Sequence, residues 1–332
     1  MTQLPDLNEL INASHVVSLP MTVQFRGVRH REAMLFEGPA GWGEFSPFLE
    51  YGPAEASAWL RSGIEAAWEG YPDPVRQSVP VNATLPAVGP ERVAAVLASY
   101  DAAHTIKVKV AETGQDLAQD VARVAEARRL FPEAAIRIDA NMGWTHDEAL
   151  AGLEALAGFG LQYAEQPVAG IDGLARVREE VARRGLGVLI AADESVRKES
   201  DPLAVARAGA ADLIVIKAQP LGGVRRALQV VRDAGLPAVV SSALDTSIGL
   251  RQGAALAAAL PELPYACGLA TGSLFSSDIT TDRFLAVGGE LQLRDIAADP
   301  DLLRKHEVNA ERRSWWQQRL ADCHRELLAP NR

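Results

Sequence analysis

The sequence predicts an α/β fold centred on a (β/α)8-type barrel, because one rhythm of strands and helices runs through its middle. Short apolar runs recur at intervals of roughly 22 to 30 residues, the length of one strand and its crossover helix. These runs predict eight strands, at 79–85, 105–110, 135–140, 162–165, 188–193, 213–217, 238–242 and 265–269. Helical patterns lie between them, at 116–130, 147–157, 174–184, 202–208, 224–234 and 248–260. Parallel strands that alternate with helices in this way close into a barrel.

The segments on either side of this repeat follow different patterns. Residues 1–78 hold two strand runs, at 16–19 and 34–36, followed by a Gly- and Pro-rich loop and a helix at 54–68. Residues 273–332 hold a hairpin signal with a Gly-Gly turn at 284–293 and an amphipathic helix at 310–328. We therefore expect three parts, 1–78, 79–272 and 273–332, with the barrel in the middle and the tail packed on the barrel or on the N-terminal part.

The composition disfavours several kinds of partner. The 332 residues are 48% hydrophobic and 23% charged, and the formal net charge of −10 comes without any basic run, so no nucleic acid is expected. No apolar run is long enough to cross a bilayer, and the first residues lack the apolar core of a signal peptide, so no membrane is expected. Two cysteines, Cys267 and Cys323, make no disulfide framework and indicate a reducing cytoplasm. The sequence leaves the oligomeric state unknown.

The predicted strand at 105–110 carries two lysines on one face. Lys107 and Lys109 are two residues apart, so both side chains leave the same side of a strand whose other side is apolar. Lysine is depleted in buried strands, and an edge strand that uses lysines to prevent aggregation is one explanation. The number of strands places this segment inside a barrel, however, and this favours a polar site on that face.

Ionisable or polar residues also end the neighbouring predicted strands. They are Asp139 and Asn141, Glu165, Asp193 and Glu194, Lys217, and Ser241 and Ser242. Each of these alone is explained by capping of the following helix, and for the two serines capping and substrate binding explain the pattern equally well. Three consecutive strands ending in Asp139, Glu165 and Asp193 favour a site, because the carboxyl ends of barrel strands carry the catalytic residues.

The residue types indicate the chemistry of this site. Three neighbouring carboxylates without His or Cys suit Mg²⁺, which prefers oxygen ligands and keeps positions for water and substrate. The second and sixth strands lie on opposite sides of an eight-stranded ring, so Lys109 and Lys217 are expected to face each other across the pocket. This arrangement predicts removal of a proton next to a carboxylate group. The cation would stabilise the enediolate, and a lysine with a lowered pKa would act as the base.

The motifs resemble the enolase superfamily, and within it the muconate-lactonising subgroup. The matching segments are 107–109, 139–141, 165–167, 193–195 and Lys217, in order along the chain. The resemblance implies a modified (β/α)7β barrel under an α+β capping domain that the N-terminal module and the C-terminal segment form together. It also implies roles for eight residues: catalysis by Lys109 and Lys217, binding of Mg²⁺ by Asp139, Glu165 and Asp193, and support of that centre by Lys107, Asn141 and Glu194.

Further motifs, at 15–28, 43–47, 241–250 and 267–272, resemble the dehydratases of this subgroup that act in menaquinone biosynthesis. This resemblance implies a lyase that removes water from a succinyl-bearing hydroxycyclohexadiene carboxylate. Lys109 would act first as base and then as acid on one face, and Lys217 would be the stabilising cation. The implied substrate-binding residues lie on cap loops and on the barrel rim: Arg26, Phe48, Tyr51, Gly222, Gly223, Ser241, Ser242 and Leu269.

Other functions remain open at this level. A racemase or epimerase of the same superfamily, such as an N-succinylamino acid racemase, would use the two lysines alternately as base and acid. A dipeptide epimerase is disfavoured, because the run around 267–270 has no carboxylate for a substrate ammonium group. A phosphosugar-binding barrel does not explain the three carboxylates. A regulatory barrel without activity would be expected to have lost some of these motifs.

Overall fold

The N-terminal part folds as a three-stranded antiparallel sheet with a helix across it. The computed structural model describes residues 4–25, 28–196 and 201–329, so the predicted substrate residue Arg26 lies outside the described residues. The elements are α1 (Leu7–Asn12), β1 (Ser14–Phe25), β2 (Val28–Gly38), β3 (Gly41–Phe45) and α2 (Pro53–Ile64), which continues as a π-helical turn over Glu65–Glu69. The first two strands are longer than predicted, because polar residues on the solvent face extend the hairpin beyond its apolar middle.

Seven parallel strands form the wall of the barrel. A short strand, β4 (Ser78–Pro80), precedes them. The barrel strands are β5 (Ala83–Leu85), β6 (Thr105–Lys109), β7 (Ala135–Asp139), β8 (Leu161–Glu165), β9 (Leu189–Ala192), β10 (Leu213–Ile216) and β11 (Ala238–Val240). Their order in space repeats their order in the chain. The single predicted strand at 79–85 is therefore two strands, because residues 78–80 pair outside the barrel sheet.

The eighth position of the barrel is a short bridging segment. Cys267 pairs in parallel with Val81, and Gly268 pairs in parallel with Ser241. A Cβ atom on Gly268 would lie 2.6 Å from Ser241 Oγ, so this close approach requires glycine. The predicted strand at 265–269 is thus reduced to two bridging residues. The ring closes in agreement with the expected (β/α)7β form.

Helices cover the outside of this barrel. They are α3 (Pro90–Leu97), α4 (Leu117–Leu130), α5 (His146–Ala157), α6 (Ile171–Arg184), α7 (Asp201–Arg207), α8 (Val224–Ala234) and α9 (Ser247–Ala259). The predicted helices agree with α4 to α9 to within a few residues, and α4 and α5 begin with capping boxes. The short α3 was not predicted, because its Gly-Pro start is typical of a loop. Within the described ranges, no helix has both the length and the apolar character needed to cross a membrane.

The C-terminal segment returns to the N-terminal sheet. β12 (Glu290–Gln292) follows the predicted Gly-Gly turn, but it pairs with β4, so the expected hairpin is only partly formed. After α10 (Pro300–His306), α11 (Ala310–Leu328) packs on α2 as expected from its amphipathic pattern. Trp316 on α11 lies edge-on to Phe45 with ring centroids 5.8 Å apart, and its Nε1 donates to Glu32 Oε2 at 2.7 Å. The two ends of the chain therefore form one cap.

Two buried glutamates fix this cap to the barrel. Glu65 accepts hydrogen bonds from the backbone N–H groups of Val224, at 2.5 Å, and Arg225, at 3.1 Å, where α8 begins. Glu44 on β3 accepts from the N–H groups of Thr246 and Gly249, both at 3.1 Å, where α9 begins. A carboxylate at a helix N-terminus satisfies donors that have no partner inside the helix and interacts favourably with the helix dipole. Because α8 and α9 follow β10 and β11, these contacts hold the cap over the carboxyl ends of the strands.

Candidate active site

The order of the strands places three acidic strand ends between two lysines. Asp139, Glu165 and Asp193 lie at the ends of β7, β8 and β9, and these strands lie between β6, which ends at Lys109, and β10, which is followed by Lys217. In the strand register Lys109 is beside Asp139, and Asp139 is beside Glu165. All five strands run in the same direction, so these ends meet on one rim of the barrel. The five residues form a row with a lysine at each end.

Lys107 is a buried cation held by two of the carboxylates. Its Nζ lies 3.1 and 3.2 Å from the two carboxylate oxygens of Glu165 and 3.3 Å from Asp139 Oδ2. Burial lowers the pKa of a lysine, but the charges of Glu165 and Asp139 outweigh it here, so the pKa of Lys107 is raised. The raised pKa favours a protonated Lys107 at neutral pH, which argues against Lys107 as a base; the predicted role of Lys109 as the base stays a prediction.

Lys109 is held by groups at the end of the next strand. Its Nζ lies 2.5 Å from Asp139 Oδ2 and 2.6 Å from Asn141 Oδ1. The backbone of Asn141 has a φ of 44°, in the left-handed region, and its Nδ2 donates to Glu194 Oε1 at 3.1 Å. Asparagine adopts this region more readily than most other non-glycine residues. The turn directs the side-chain oxygen of Asn141 at the ammonium group.

Lys217 and Asp193 form an ion pair at the other end of the row. The turn that carries Asp193 is fixed by Gln166, whose Oε1 accepts from the N–H groups of Asp193, at 3.0 Å, and Ser195, at 3.1 Å. The Nε2 of Gln166 donates to the carbonyl of Val168 at 2.8 Å, and the side chain is fully buried. Gln166 lies within one of the recognised motifs, but no role was predicted for it.

The three carboxylates have the chemistry of a site for a hard divalent cation. They offer only oxygen atoms, and Asp139, Glu165 and Asp193 are 1%, 1% and 5% exposed. Burial, and then the charge of Asp139, raises the pKa of Glu165 to about 8, which indicates that this cluster favours additional positive charge. In the described part of the chain no three His, Cys, Asp or Glu residues are arranged around one point as metal ligands. Lysine ammonium groups contact carboxylate oxygens of Glu165 and Asp139. The residues fit a cation by their chemistry, and lysines and cation would compete for the same atoms.

A pocket of about 60 Å³ opens on this rim. Its charged floor consists of Lys107, Lys109, Asp139, Asp193 and Lys217. Its opposite wall includes Phe48, Tyr51 and Trp59 from the cap and residues 241–244 from the barrel. The three aromatic rings contact one another with centroids 5.9 to 6.2 Å apart. A larger cavity of about 1200 Å³ lies against Lys109 and Asn141 on another side. The pocket suits a ligand with an anionic end and an apolar body.

The structure brings part of the predicted substrate-binding set to this pocket. Phe48, Tyr51, Ser241 and Ser242 line it. Ser242 Oγ also donates to the carbonyl of Gly268 at 3.0 Å, and this bond supports the barrel closure. The position of the cap loop at Phe48 and Tyr51 thus agrees with the expectation that it covers the rim.

Three predicted substrate residues lie elsewhere. Gly222 and Gly223 form the turn before α8, where a Cβ atom on Gly223 would lie 2.0 Å from Glu65 Oε2. Leu269 is fully buried, with its side chain against Gly253 of α9. These three residues do not line the pocket in this structure and take part in packing between the cap, the helices and the barrel, so their contact with substrate stays a prediction.

A buried polar cluster beside the pocket was not predicted. It consists of Arg31, Glu44, Ser46, Gln219 and Asp245, from two cap strands and two barrel loops. Gln219 Nε2 donates to Asp245 Oδ1 at 3.0 Å and to Glu44 Oε1 at 3.3 Å. Burial raises the pKa of Glu44 and raises that of Asp245 to about 7. Arg31 lies in the sequence among other charged or polar residues, Arg29, His30 and Glu32, so no local pattern marks it as the buried one.

Comparison with known proteins agrees with this architecture. A family model described as enolase C-terminal domain-like matches residues 91–298, and one described as enolase N-terminal domain-like matches residues 16–67. The muconate lactonizing enzyme of Pseudomonas putida superposes with a TM-score of 0.74 at 20% identity. That of Pseudomonas fluorescens, solved in complex with muconolactone, gives 0.76 at 20% identity. Each structure matches 89% of this chain and 98% of its own. At this level of identity the likeness concerns the fold.

Curated relatives are much closer in sequence. The o-succinylbenzoate synthase of Mycolicibacterium smegmatis is 50% identical over 322 residues, which cover 97% of this chain and 98% of the relative. That of Thermobifida fusca is 52% identical over 305 residues, which cover 92% of this chain and 93% of the relative. The identity extends over the cap as well as the barrel. The chain therefore belongs to the enolase superfamily and, within it, to the o-succinylbenzoate synthase family.

Proposed function

We propose that this protein catalyses the dehydration of 2-succinyl-6-hydroxy-2,4-cyclohexadiene-1-carboxylate to o-succinylbenzoate, a step of menaquinone (vitamin K2) biosynthesis. Relatives that are about half identical along almost their whole length carry the name o-succinylbenzoate synthase. The structural observation that carries the proposal is the row of strand ends, in which Asp139, Glu165 and Asp193 lie between Lys109 and Lys217. Such a row offers a base, a second cation and a set of anionic oxygen ligands, and Lys109, Asp139, Asp193 and Lys217 of this row line the pocket.

The two lysines have different roles in this proposal. Lys109 Nζ takes the proton from C1 of the substrate, and the electron pair of the broken C–H bond enters the carboxylate group to give an enediolate. The C6–O bond then breaks, and hydroxide leaves as water with the proton that Lys109 had taken, so the ring becomes aromatic. Lys217 stays protonated and stabilises the negative charge of the enediolate. Before the first step Lys109 must be neutral and released from its contact with Asp139.

Enzymes of the enolase superfamily use a divalent metal ion, and we propose Mg²⁺ here. When bound, Mg²⁺ would supply positive charge that stabilises the enediolate. Asp139, Glu165 and Asp193 would hold it, because their donor atoms are buried carboxylate oxygens. The charges of these three acids balance those of Lys107, Lys109 and Lys217. Once Lys109 is neutral, as the first step requires, a divalent cation would leave an excess of one positive charge, which the ring carboxylate of the proposed substrate neutralises.

The wall of the pocket supports a substrate with a long side arm. Phe48, Tyr51 and Trp59 cover the rim from the cap and shield the site from water. Ser241 and Ser242 on the barrel side lie where hydroxyl groups can meet a polar arm. We propose that this wall receives the succinyl group while the ring carboxylate lies at the charged floor.

We also propose that the enzyme works in the cytoplasm. Cys267 and Cys323 are both buried and unpaired, a state that a reducing compartment maintains. Fractionation of cells that make the tagged protein tests this directly, and recovery outside the cytoplasmic fraction would contradict it.

A direct assay separates this function from racemisation by the same two lysines. The purified protein is given the cyclohexadiene carboxylate in one series and a panel of N-succinylamino acids in another, each with Mg²⁺. We expect kcat/KM for dehydration to exceed that for racemisation of every panel member. A higher kcat/KM for racemisation would overturn the proposal and identify the protein as a racemase of the superfamily.

A further inference from the structure

Arg31 lies behind the wall of the pocket, where the cap meets the barrel. It is on β2, only 3% exposed, and it does not line the pocket itself. Its guanidinium group lies near the carboxylates of Glu44 and Asp245, so its charge has counter-ions in the buried polar cluster. An isolated arginine at this depth would be strongly unfavourable, and this one is surrounded by acceptors from both parts of the protein.

On the barrel side Arg31 holds the backbone of two residues of the wall. Its Nε donates to the carbonyl of Leu244 at 3.1 Å, and its Nη2 donates to the carbonyl of Ala243 at 3.2 Å. Leu244 has a φ of 60°, a left-handed conformation that leucine rarely adopts. Both Ala243 and Leu244 line the pocket. The arginine therefore stabilises a strained turn whose side chains face the ligand.

On the cap side the same guanidinium group contacts the loop that covers the rim. Its Nη2 donates to Ser46 Oγ at 3.2 Å and also to the carbonyl of Ser46. Its plane lies over the ring of Phe48, with Cζ 4.5 Å from the ring centroid, a cation–π contact. Phe48 lines the pocket together with Ala243 and Leu244. A planar group with donors on several edges is needed to make all these contacts at once.

We infer that Arg31 is a positioning residue for substrate binding: it joins Phe48 of the cap to residues 243–244 of the barrel and so sets the shape of the wall that receives the non-reacting arm of the substrate. This inference rests on the proposed function, because it assigns that arm to the wall. The lysines and carboxylates of the row have no contact with Arg31 among its hydrogen bonds in the described residues. Loss of the planar group should therefore weaken binding and leave the chemical step largely intact.

The test compares Arg31→Lys with Arg128→Lys. The first variant keeps the charge of the cluster but loses the planar fork. The control changes an arginine that also donates to several carbonyls, those of Pro132, Ala134 and Phe159, at the opposite end of the barrel. We expect Arg31→Lys to raise KM by about tenfold or more with kcat within about threefold of wild type, and Arg128→Lys to leave KM unchanged. The dissociation constant of o-succinylbenzoate, measured by calorimetry with Mg²⁺, should rise by a similar factor in Arg31→Lys alone.

A folded Arg31→Lys protein with unchanged KM and unchanged affinity for o-succinylbenzoate would overturn the inference. If this variant does not fold, the double variant Arg31→Gln/Asp245→Asn, which replaces the guanidinium group and a neighbouring carboxyl group by neutral amides, carries the same expectation. Failure of both to fold would also overturn it, because Arg31 would then serve stability alone. The wild-type assay comes first: if it shows racemisation of an N-succinylamino acid without dehydration, the proposed function fails, and the same KM comparison is made with that amino acid.

Discussion

Gly223 and Glu65 meet where the cap is fixed to the barrel. Gly223 has a φ of 118°, and a Cβ atom there would lie 2.0 Å from Glu65 Oε2. In this position the carboxylate accepts hydrogen bonds from the backbone N–H groups of Val224 and Arg225. The turn before α8 comes shortly after Lys217 in the chain. The contact therefore links the position of the cap to the segment that carries a proposed catalytic lysine. Glycine is the residue that this contact needs.

Replacement of this glycine should therefore loosen the cap. We expect Gly223→Ala to lower the free energy of unfolding by roughly 2–4 kcal/mol, because it adds both backbone strain and a clash with a buried carboxylate. The matched control is Gly235→Ala, where φ is 65° but no atom lies within 4 Å of the added Cβ, so about 1–2 kcal/mol is expected. Denaturant unfolding measures both values. Equal losses in the two variants would show that the contact with Glu65 contributes nothing.

The proposed base predicts the effect of Lys109→Ala. The variant should keep the far-UV circular dichroism of the wild type and lose at least about 10³-fold in kcat/KM, because no other neutral amine is placed to take the proton. Lys107 cannot substitute, since Glu165 and Asp139 keep it protonated. Lys305→Ala, at an exposed position on α10, is the control and should be fully active. Turnover within tenfold of wild type in Lys109→Ala would exclude Lys109 as the base.

The second lysine is expected to act through its charge. Lys217→Ala should reduce kcat by about 10²–10³-fold, because it removes one cation from the enediolate and leaves Asp193 without its ion pair. Lys217→Arg keeps the charge and should retain more activity than the alanine variant. Steady-state kinetics of the two variants measure this difference. If both are equally inactive, Lys217 acts by a proton transfer that guanidinium cannot perform.

Removal of the metal should abolish activity without unfolding the protein. The barrel core and the ion pairs of Lys107 remain when no cation is bound, so EDTA is expected to stop turnover while the melting temperature changes little. Addition of excess Mg²⁺ should restore activity. Turnover that persists after dialysis against EDTA would contradict the assignment of Asp139, Glu165 and Asp193 as ligands.

The polar cluster predicts how stability depends on pH. Burial, and then the charge of Glu44, raises the pKa of Asp245 to about 7 from an ordinary value of 3.8. The folded protein thus holds a proton that the unfolded chain has already lost, so this stabilisation is complete below about pH 4 and is lost as pH rises through about 7. We expect the unfolding free energy to fall by roughly 2–4 kcal/mol over this range from this group. Denaturant unfolding at pH 5 and pH 8 should show a smaller fall in Asp245→Asn, and equal falls would contradict the assignment.

The charged residues at the strand ends could be predicted from the sequence, because the patterns that mark them are local. Each of Lys109, Asp139, Glu165 and Asp193 ends a short apolar run, and an ionisable residue in that position stands out without knowledge of the fold. The runs also fixed the order of the strands, and from this order the row between Lys109 and Lys217 follows directly.

The polar cluster that supports the wall of the site could not be predicted, because its contacts join distant parts of the chain. Arg31 meets residue 244 across 213 positions, and Glu44 meets Thr246 across 202. Gly222 and Gly223 have the local pattern of a ligand-binding turn, and only the structure shows that the carboxylate of Glu65 lies against Gly223. A local pattern of glycines indicates that other atoms lie close to the backbone, but it does not show whether these atoms belong to a ligand or to the protein itself.

The return of α11 to the N-terminal sheet determines when the cap is completed during synthesis. Met34, Phe36 and Phe45 are buried in one cluster with Trp316, Leu320 and Cys323. These apolar residues of the first strands leave the ribosome long before their partners on the last helix. The barrel between them has time to close first, since domains fold as their chain emerges. Until the final turn of α11 has emerged, the half-built cap presents an uncovered apolar face, and this is the interval in which the nascent chain most needs protection from aggregation.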